Sequence, residues 1–88
     1  MRLGKKRAKT GIRQRELMEQ IYTLYEQKLY AAAFGILGQV QQAEDAVQDT
    51  FVKLVKYLPQ ITAADDEKTK RLVMQILRST AIDQYRKN

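Results

Sequence analysis

The sequence predicts an all-α fold, a compact three-helix bundle. Three observations carry this. Apolar residues recur three and four apart in three separate stretches, which is the spacing of one helix face. The stretches are divided by residues that stop helices, Gly38 and Pro59. No stretch alternates apolar and polar residues as a half-buried strand would.

The first helix is expected from about Gln14 to Leu37. Leu17, Met18, Ile21, Tyr25, Leu29, Ala32 and Ile36 share a face, while Glu16, Glu19, Thr23 and Gln27 lie away from it. Its second half, LYAAAFGIL, is apolar nearly all round, with Tyr30, Phe34 and Leu37 on the far side. That half is expected to be packed on two sides. Gly35 either admits a close neighbouring backbone or is an ordinary tolerated glycine. Gly38 supplies the C-terminal stop.

The second helix is expected from about Gln41 to Leu58, antiparallel to the first because the link is short. Ala43, Val47, Thr50, Phe51, Leu54 and Leu58 fall in one arc about 100° wide. Asp45, Asp49, Val52 and Lys56 fall opposite. Pro59 is expected to end the helix by forcing Leu58 towards extended geometry. A loop follows over PQITAAD, where Thr62, Asp65 or Asp66 can cap the next helix.

The third helix is expected from about Glu67 to Arg86. Leu72, Val73, Ile76, Leu77 and Thr80 form its apolar side. Arg71, Met74, Gln75, Arg78, Ile82, Tyr85 and Arg86 form the outer side. Arginine holds phosphates, glutamine reads base edges, and tyrosine or isoleucine packs on a base or sugar. A plain solvated basic face gives the same pattern. Asp83 falls on the apolar side of the wheel, as does Lys28 in helix 1. A Lys28–Asp83 pair is therefore expected, since a buried carboxylate needs a partner.

Met1 to Arg15 has two glycines and almost no apolar periodicity. Residues 1–13 read as a flexible basic arm, and 14–88 as the helical domain. The arm is either a solvated tail or an auxiliary contact to phosphates.

Composition narrows the function. The net charge is +6, which favours nucleic acid or an acidic surface as partner. Seven of the sixteen bases lie in the first fifteen residues, so net charge alone says little. The sign reverses between Gln39 and Val52, where Glu44, Asp45 and Asp49 occur with no base. An acidic stripe carrying one valine suits docking to a basic protein surface. The chain has no cysteine and no histidine. That excludes disulfides, and metal sites or nucleophiles built from those residues. No cofactor is implied. Glu44–Asp45 and Asp65–Asp66 are neighbours in sequence, so their side chains diverge on a helix and make poor acid/base pairs. No constellation for catalysis can be assembled, and the chain reads as a non-enzyme. No apolar run approaches the roughly 18 residues of a membrane span, and no signal-peptide core follows the basic start. The cytoplasm fits.

Three blocks in order, LYEQKLYAAAFGILG, QQAEDAVQDTFVKLVKYL and RLVMQILRSTAIDQYRK, resemble region 2 of bacterial RNA polymerase sigma factors. The resemblance is strongest to the extracytoplasmic-function type and covers about Leu24 to the end. Ala43, Glu44, Asp45, Gln48, Asp49 and Phe51 match the family pattern Ala-Glu-Asp-x-x-Gln-acid-x-Phe. Ala81, Ile82 and Asp83 match an Ala-Ile-Asp pattern, with Arg86 and Lys87 following. Relatives often carry an aromatic pair where Thr69 and Leu72 stand here, and an asparagine in place of Ser79. These departures bear on strand separation and base preference.

The resemblance implies a transcription-initiation domain. Asp45, Gln48 and Asp49 would dock on the clamp coiled coil of the polymerase β′ subunit, with Val52 added from the wheel. Arg71, Gln75, Arg78, Ser79, Ile82 and Arg86 would meet the non-template strand of the minus-ten promoter element and help open it. Phe51, Leu54 and Asp83 would be structural. Full-length members carry a further promoter-reading domain. The chain is therefore expected to be one domain of a longer factor, or a truncated one, that binds weakly by itself. An anti-sigma protein is an expected partner. Two other readings stay open: a sigma-like interaction bundle bound by an anti-sigma protein, and a generic basic nucleic-acid-binding bundle.

Overall fold

The computed structural model describes residues 2–87, with side chains over 11–87. Helix α1 spans Arg2–Leu37, α2 spans Val40–Leu54, and α3 spans Glu67–Lys87. A 3₁₀ segment, Val55–Gln60, follows α2 directly. There is no strand among the described residues. The three helices pack on one another in all three pairings. The all-α three-helix bundle expected from the sequence is the observed architecture.

α1 begins at Arg2, well before the expected start near Gln14. The stretch assigned to an arm is rich in Lys and Arg, which favour the helix intrinsically. A helix already nucleated further along propagates into such a stretch. The buried residues of α1 form a strict four-residue row: Leu17, Ile21, Tyr25, Leu29, Ala33 and Leu37. Each step of four advances about 40° round the axis. The row therefore spirals. Its early members lie against the α2–α3 loop, where the Tyr25 hydroxyl donates to the Ala64 carbonyl at 2.8 Å. Ala33 and Leu37 take the innermost places expected for Ala32 and Ile36, which are partly buried. Phe34, expected inside, is 43% exposed and stacks on Tyr30 with ring centroids 6.2 Å apart. The apolar second half is thus packed on somewhat more than one side, with Phe34 left outside.

Gly38 has φ +72°, the left-handed geometry of a helix C-terminal stop, and its N–H donates to the Phe34 carbonyl at 2.7 Å. Gly38 and Gln39 are the whole link to α2. Gly35 faces open space, so no neighbouring backbone requires it.

α2 buries Ala43, Ala46, Val47, Thr50 and Leu54. The helix leaves α geometry at Leu54, earlier than the expected end at Leu58, and the chain passes through Pro59 in 3₁₀ form. The cause is Pro59. It has no N–H for the Val55 carbonyl, and its ring crowds that carbonyl in an α-helix. Bonds three residues back, such as Ile61 N–H to Leu58 at 3.1 Å, replace those four back. Leu58 stays buried instead of being thrown into an extended turn.

Of the three candidate caps for α3, Asp66 serves. Its carbonyl accepts from Lys70 N–H at 3.0 Å, and its side chain lies 3.4 Å from Lys68 N–H. Thr69 turns inward and donates to the Ala63 carbonyl at 2.7 Å. α3 buries Thr69, Val73, Leu77, Thr80 and Ala81. Gln84 ties it to α2 by donating to the Gln42 carbonyl at 3.0 Å. Among the described residues no buried side-chain nitrogen or oxygen lacks a partner. Fully buried Ile21, Leu29, Leu54, Val73 and Leu77 each contribute about 1.5–3 kcal/mol of apolar driving force.

The expected Lys28–Asp83 pair does not form. Both residues are exposed, and neither makes a hydrogen bond or ion pair with a described residue. Each lies about a quarter turn from the centre of its helix's buried row. On α3 that row runs towards Ala81 and away from Leu72 and Asp83, so the carboxylate reaches water.

Candidate polymerase and nucleic-acid interfaces

Two surfaces of opposite sign emerge from this packing. On α2, burying Ala43, Val47, Thr50 and Leu54 turns Asp45, Gln48, Asp49 and Val52 out to solvent. Val52 is 69% exposed, an aliphatic side chain held in water among acids. Asp49 pairs with Lys53 at 3.6 Å. Both are substantially exposed, so the pair stabilises by only about 0.3–0.5 kcal/mol and yields readily to another cation. Lys53 also donates to the buried Thr80 hydroxyl at 3.0 Å, which links this stripe to α3. Phe51 and Leu54 hold the helix from behind. Leu54 is fully buried, while Phe51 is half-buried and packs on Tyr22 with centroids 5.1 Å apart.

Beside the stripe a groove of about 500 Å³ runs between α1 and α2, walled by Tyr22, Glu26, Tyr30, Glu44, Gln48 and Phe51 among others. The Tyr22 hydroxyl donates to the Glu26 carboxylate. That bond, and the charge of Glu26, push the Tyr22 phenol above its ordinary value. The wheel of α2 places Gln48 between groove and stripe.

On α3 the outer face presents Arg71, Gln75, Arg78, Ser79, Ile82 and Arg86, all exposed, with Tyr85 63% exposed beside them. A shallow hollow joins Lys70, Arg71, Met74, Gln75, Arg78 and Ser79. A second one, towards the 3₁₀ segment, joins Lys53, Lys56 and Tyr57 to Gln75, Ser79 and Thr80. Gln75 and Ser79 are common to both, one helical turn apart. Of the positions where relatives carry an aromatic pair, Thr69 is buried and Leu72 partly so.

Sequence reasoning thus found the α2 stripe and the α3 face, each as a continuous surface. It missed Lys70, which lines the same α3 hollow as Gln75, and it did not bring Lys53, Lys56 and Tyr57 to Gln75, because only the packing of α2 and the 3₁₀ segment on α3 does so. It also missed Tyr22 and Glu26, and it named Tyr30 and Glu44 without joining them into one groove. Their signal was present in the four-residue spacing of Tyr22 and Glu26, but the groove needs two helices. No group of three metal-ligating side chains occurs among the described residues. No helix there is long and apolar enough to cross a membrane.

The bundle carries an acidic strip on α2 and an arginine-rich face on α3, side chains of the kinds that meet a basic protein surface and phosphates. A model of sigma-70 region 2 matches residues 21–88, and the chain belongs to that family. The family is one of transcription-factor domains whose general work is binding RNA polymerase and recognising the minus-ten promoter element. Comparison with curated proteins and with solved structures returned no match.

Proposed function

We propose that this domain docks on the β′ clamp coiled coil of RNA polymerase through Asp45, Gln48, Asp49 and Val52. It then holds the melted non-template strand of the minus-ten element along Arg71, Gln75, Arg78, Ser79, Ile82 and Arg86. It acts by binding, not by chemistry, in a cytoplasmic factor of the extracytoplasmic-function type, with an anti-sigma protein as competitor for the acidic face.

The observation that carries the reading is the exposure of Asp45, Asp49 and Val52 on the side of α2 away from the core. Among the described residues, one weak ion pair is all that uses these side chains. On α3, exposed arginines alternate with Gln75 and Ile82, which supports a strand gripped by phosphates and packed against by bases. Extruding a base costs a few kcal/mol, which such contacts must offset.

The test is a pull-down of the 88-residue chain with an isolated β′ clamp coiled coil. Asp45→Ala/Gln48→Ala/Asp49→Ala should abolish capture while the helical circular dichroism persists. Unchanged capture by the triple variant would sink the docking face. A chain that binds the coiled coil but no minus-ten single strand would favour the sigma-like interaction bundle instead.

A further inference from the structure

The groove between α1 and α2 has a composition that the docking stripe does not explain. Tyr22 and Tyr30 from α1 and Phe51 from α2 give it aromatic walls, and Glu26 and Glu44 give it two carboxylates. Among the described residues no cation lines it, in a chain of net charge +6. Tyr22 is 46% exposed and Phe51 half-buried, so apolar ring surface is left in contact with water.

We propose that this groove seats one arginine side chain of the docking partner. The proposal rests on the docking reading above and extends it from α2 onto α1. Each wall selects for a guanidinium. The carboxylates repel an anionic side chain. An aliphatic side chain would strip water from Glu26 and Glu44 without replacing those hydrogen bonds. A planar guanidinium stacks on an aromatic ring and offers a fork of N–H donors to the carboxylates at the rim. It is also less strongly hydrated than the ammonium of lysine, so it enters at lower cost. The hydrogen bond from Tyr22 fixes one Glu26 oxygen at the groove's edge. Gln48 borders both surfaces, so a helix lying along Asp45 and Asp49 needs only one long side chain to reach past it.

The experiment measures affinity of the full 88-residue chain for a labelled β′ clamp coiled coil by fluorescence anisotropy. Glu26→Gln and Tyr22→Leu should each weaken binding about 5–30-fold, the first by losing a charge-assisted hydrogen bond and the second by losing a desolvated cation–aromatic contact. Arginines of the coiled coil are then changed to lysine one at a time. One position should lose affinity against the parent chain and lose nothing further against Tyr22→Leu, the signature of a direct pair. Parent-like affinity of both groove variants, with Asp45→Asn/Asp49→Asn binding lost, would overturn the arginine seat and leave the docking stripe standing. Parent-like affinity of all three would overturn both. Glu26→Gln is near-isosteric at a partly exposed site, so a change in its affinity does not report misfolding.

Discussion

Replacing Tyr25 by phenylalanine removes one oxygen and tests how the α2–α3 loop is held. The Tyr25 ring sits in the core at 6% exposure, and its hydroxyl donates to the Ala64 carbonyl at 2.8 Å across 39 residues of sequence. The ring packs equally well without the hydroxyl. The loss is therefore the hydrogen bond plus the desolvation of the carbonyl left behind, together about 1–3 kcal/mol. For a domain of this size each kcal/mol lowers Tm by about 4–8 °C. Urea unfolding followed by circular dichroism at 222 nm measures it, with an unchanged m-value as the check that only stability moved. Alkali adds a second reading. Burial first, then the charges of Asp65, Glu67 and Asp66, raise the Tyr25 phenol above its ordinary value. The folded chain thus keeps a proton that the unfolded chain releases near pH 10. The stability linked to that proton is present below about pH 10 and is lost as pH rises from there through the folded value. The gap between parent and phenylalanine chains should therefore narrow above pH 10. A loss under about 0.5 kcal/mol, with no narrowing in alkali, would refute the loop anchor.

Three further outcomes follow from the same structure. Gly38→Ala introduces a Cβ that meets nothing within 4 Å, yet at φ +72° it should cost about 1–2 kcal/mol from backbone strain alone, read as a fall in the urea midpoint. Asp83→Asn should leave the urea midpoint within about 0.5 kcal/mol of the parent, because the carboxylate is exposed and unpaired with any described residue; a large loss would restore a structural role. Arg78→Ala should weaken binding to a minus-ten single strand and lower the salt slope by about 0.7, measured by titration at several salt concentrations.

The elements were legible because they rest on local chemistry. Helical periodicity, Gly38 and Asp66 act within a few residues of themselves, and the sequence displays them directly. α2 was legible in detail, since its buried and exposed sides differ sharply in polarity. What escaped depended on neighbours. The wheel of α1 treats Ala32 and Ala33 as near equals, and the spiral of a four-residue row against two partners decides between them. Asp83 looked buried because Leu72 and Ile76 were taken as the centre of the face, whereas α1 and α2 meet α3 nearer Ala81. Pro59 announced an end to α-helix, but whether the chain would extend or tighten to 3₁₀ depended on keeping Leu58 in the core. The stripe and the arginine face each lie on one helix and could be read. The groove and the Lys53–Thr80 contact each need two.

The 3₁₀ segment has a geometric consequence. Its bonds reach three residues back and its rise per residue is longer than that of an α-helix, so the stretch Val55–Gln60 covers more length per residue. It lies on the path from the acidic helix to the arginine-bearing one. With Leu58 buried in it and α3 packed directly on α1 and α2, the tightened turn fixes how far along the core the chain travels before α3 begins.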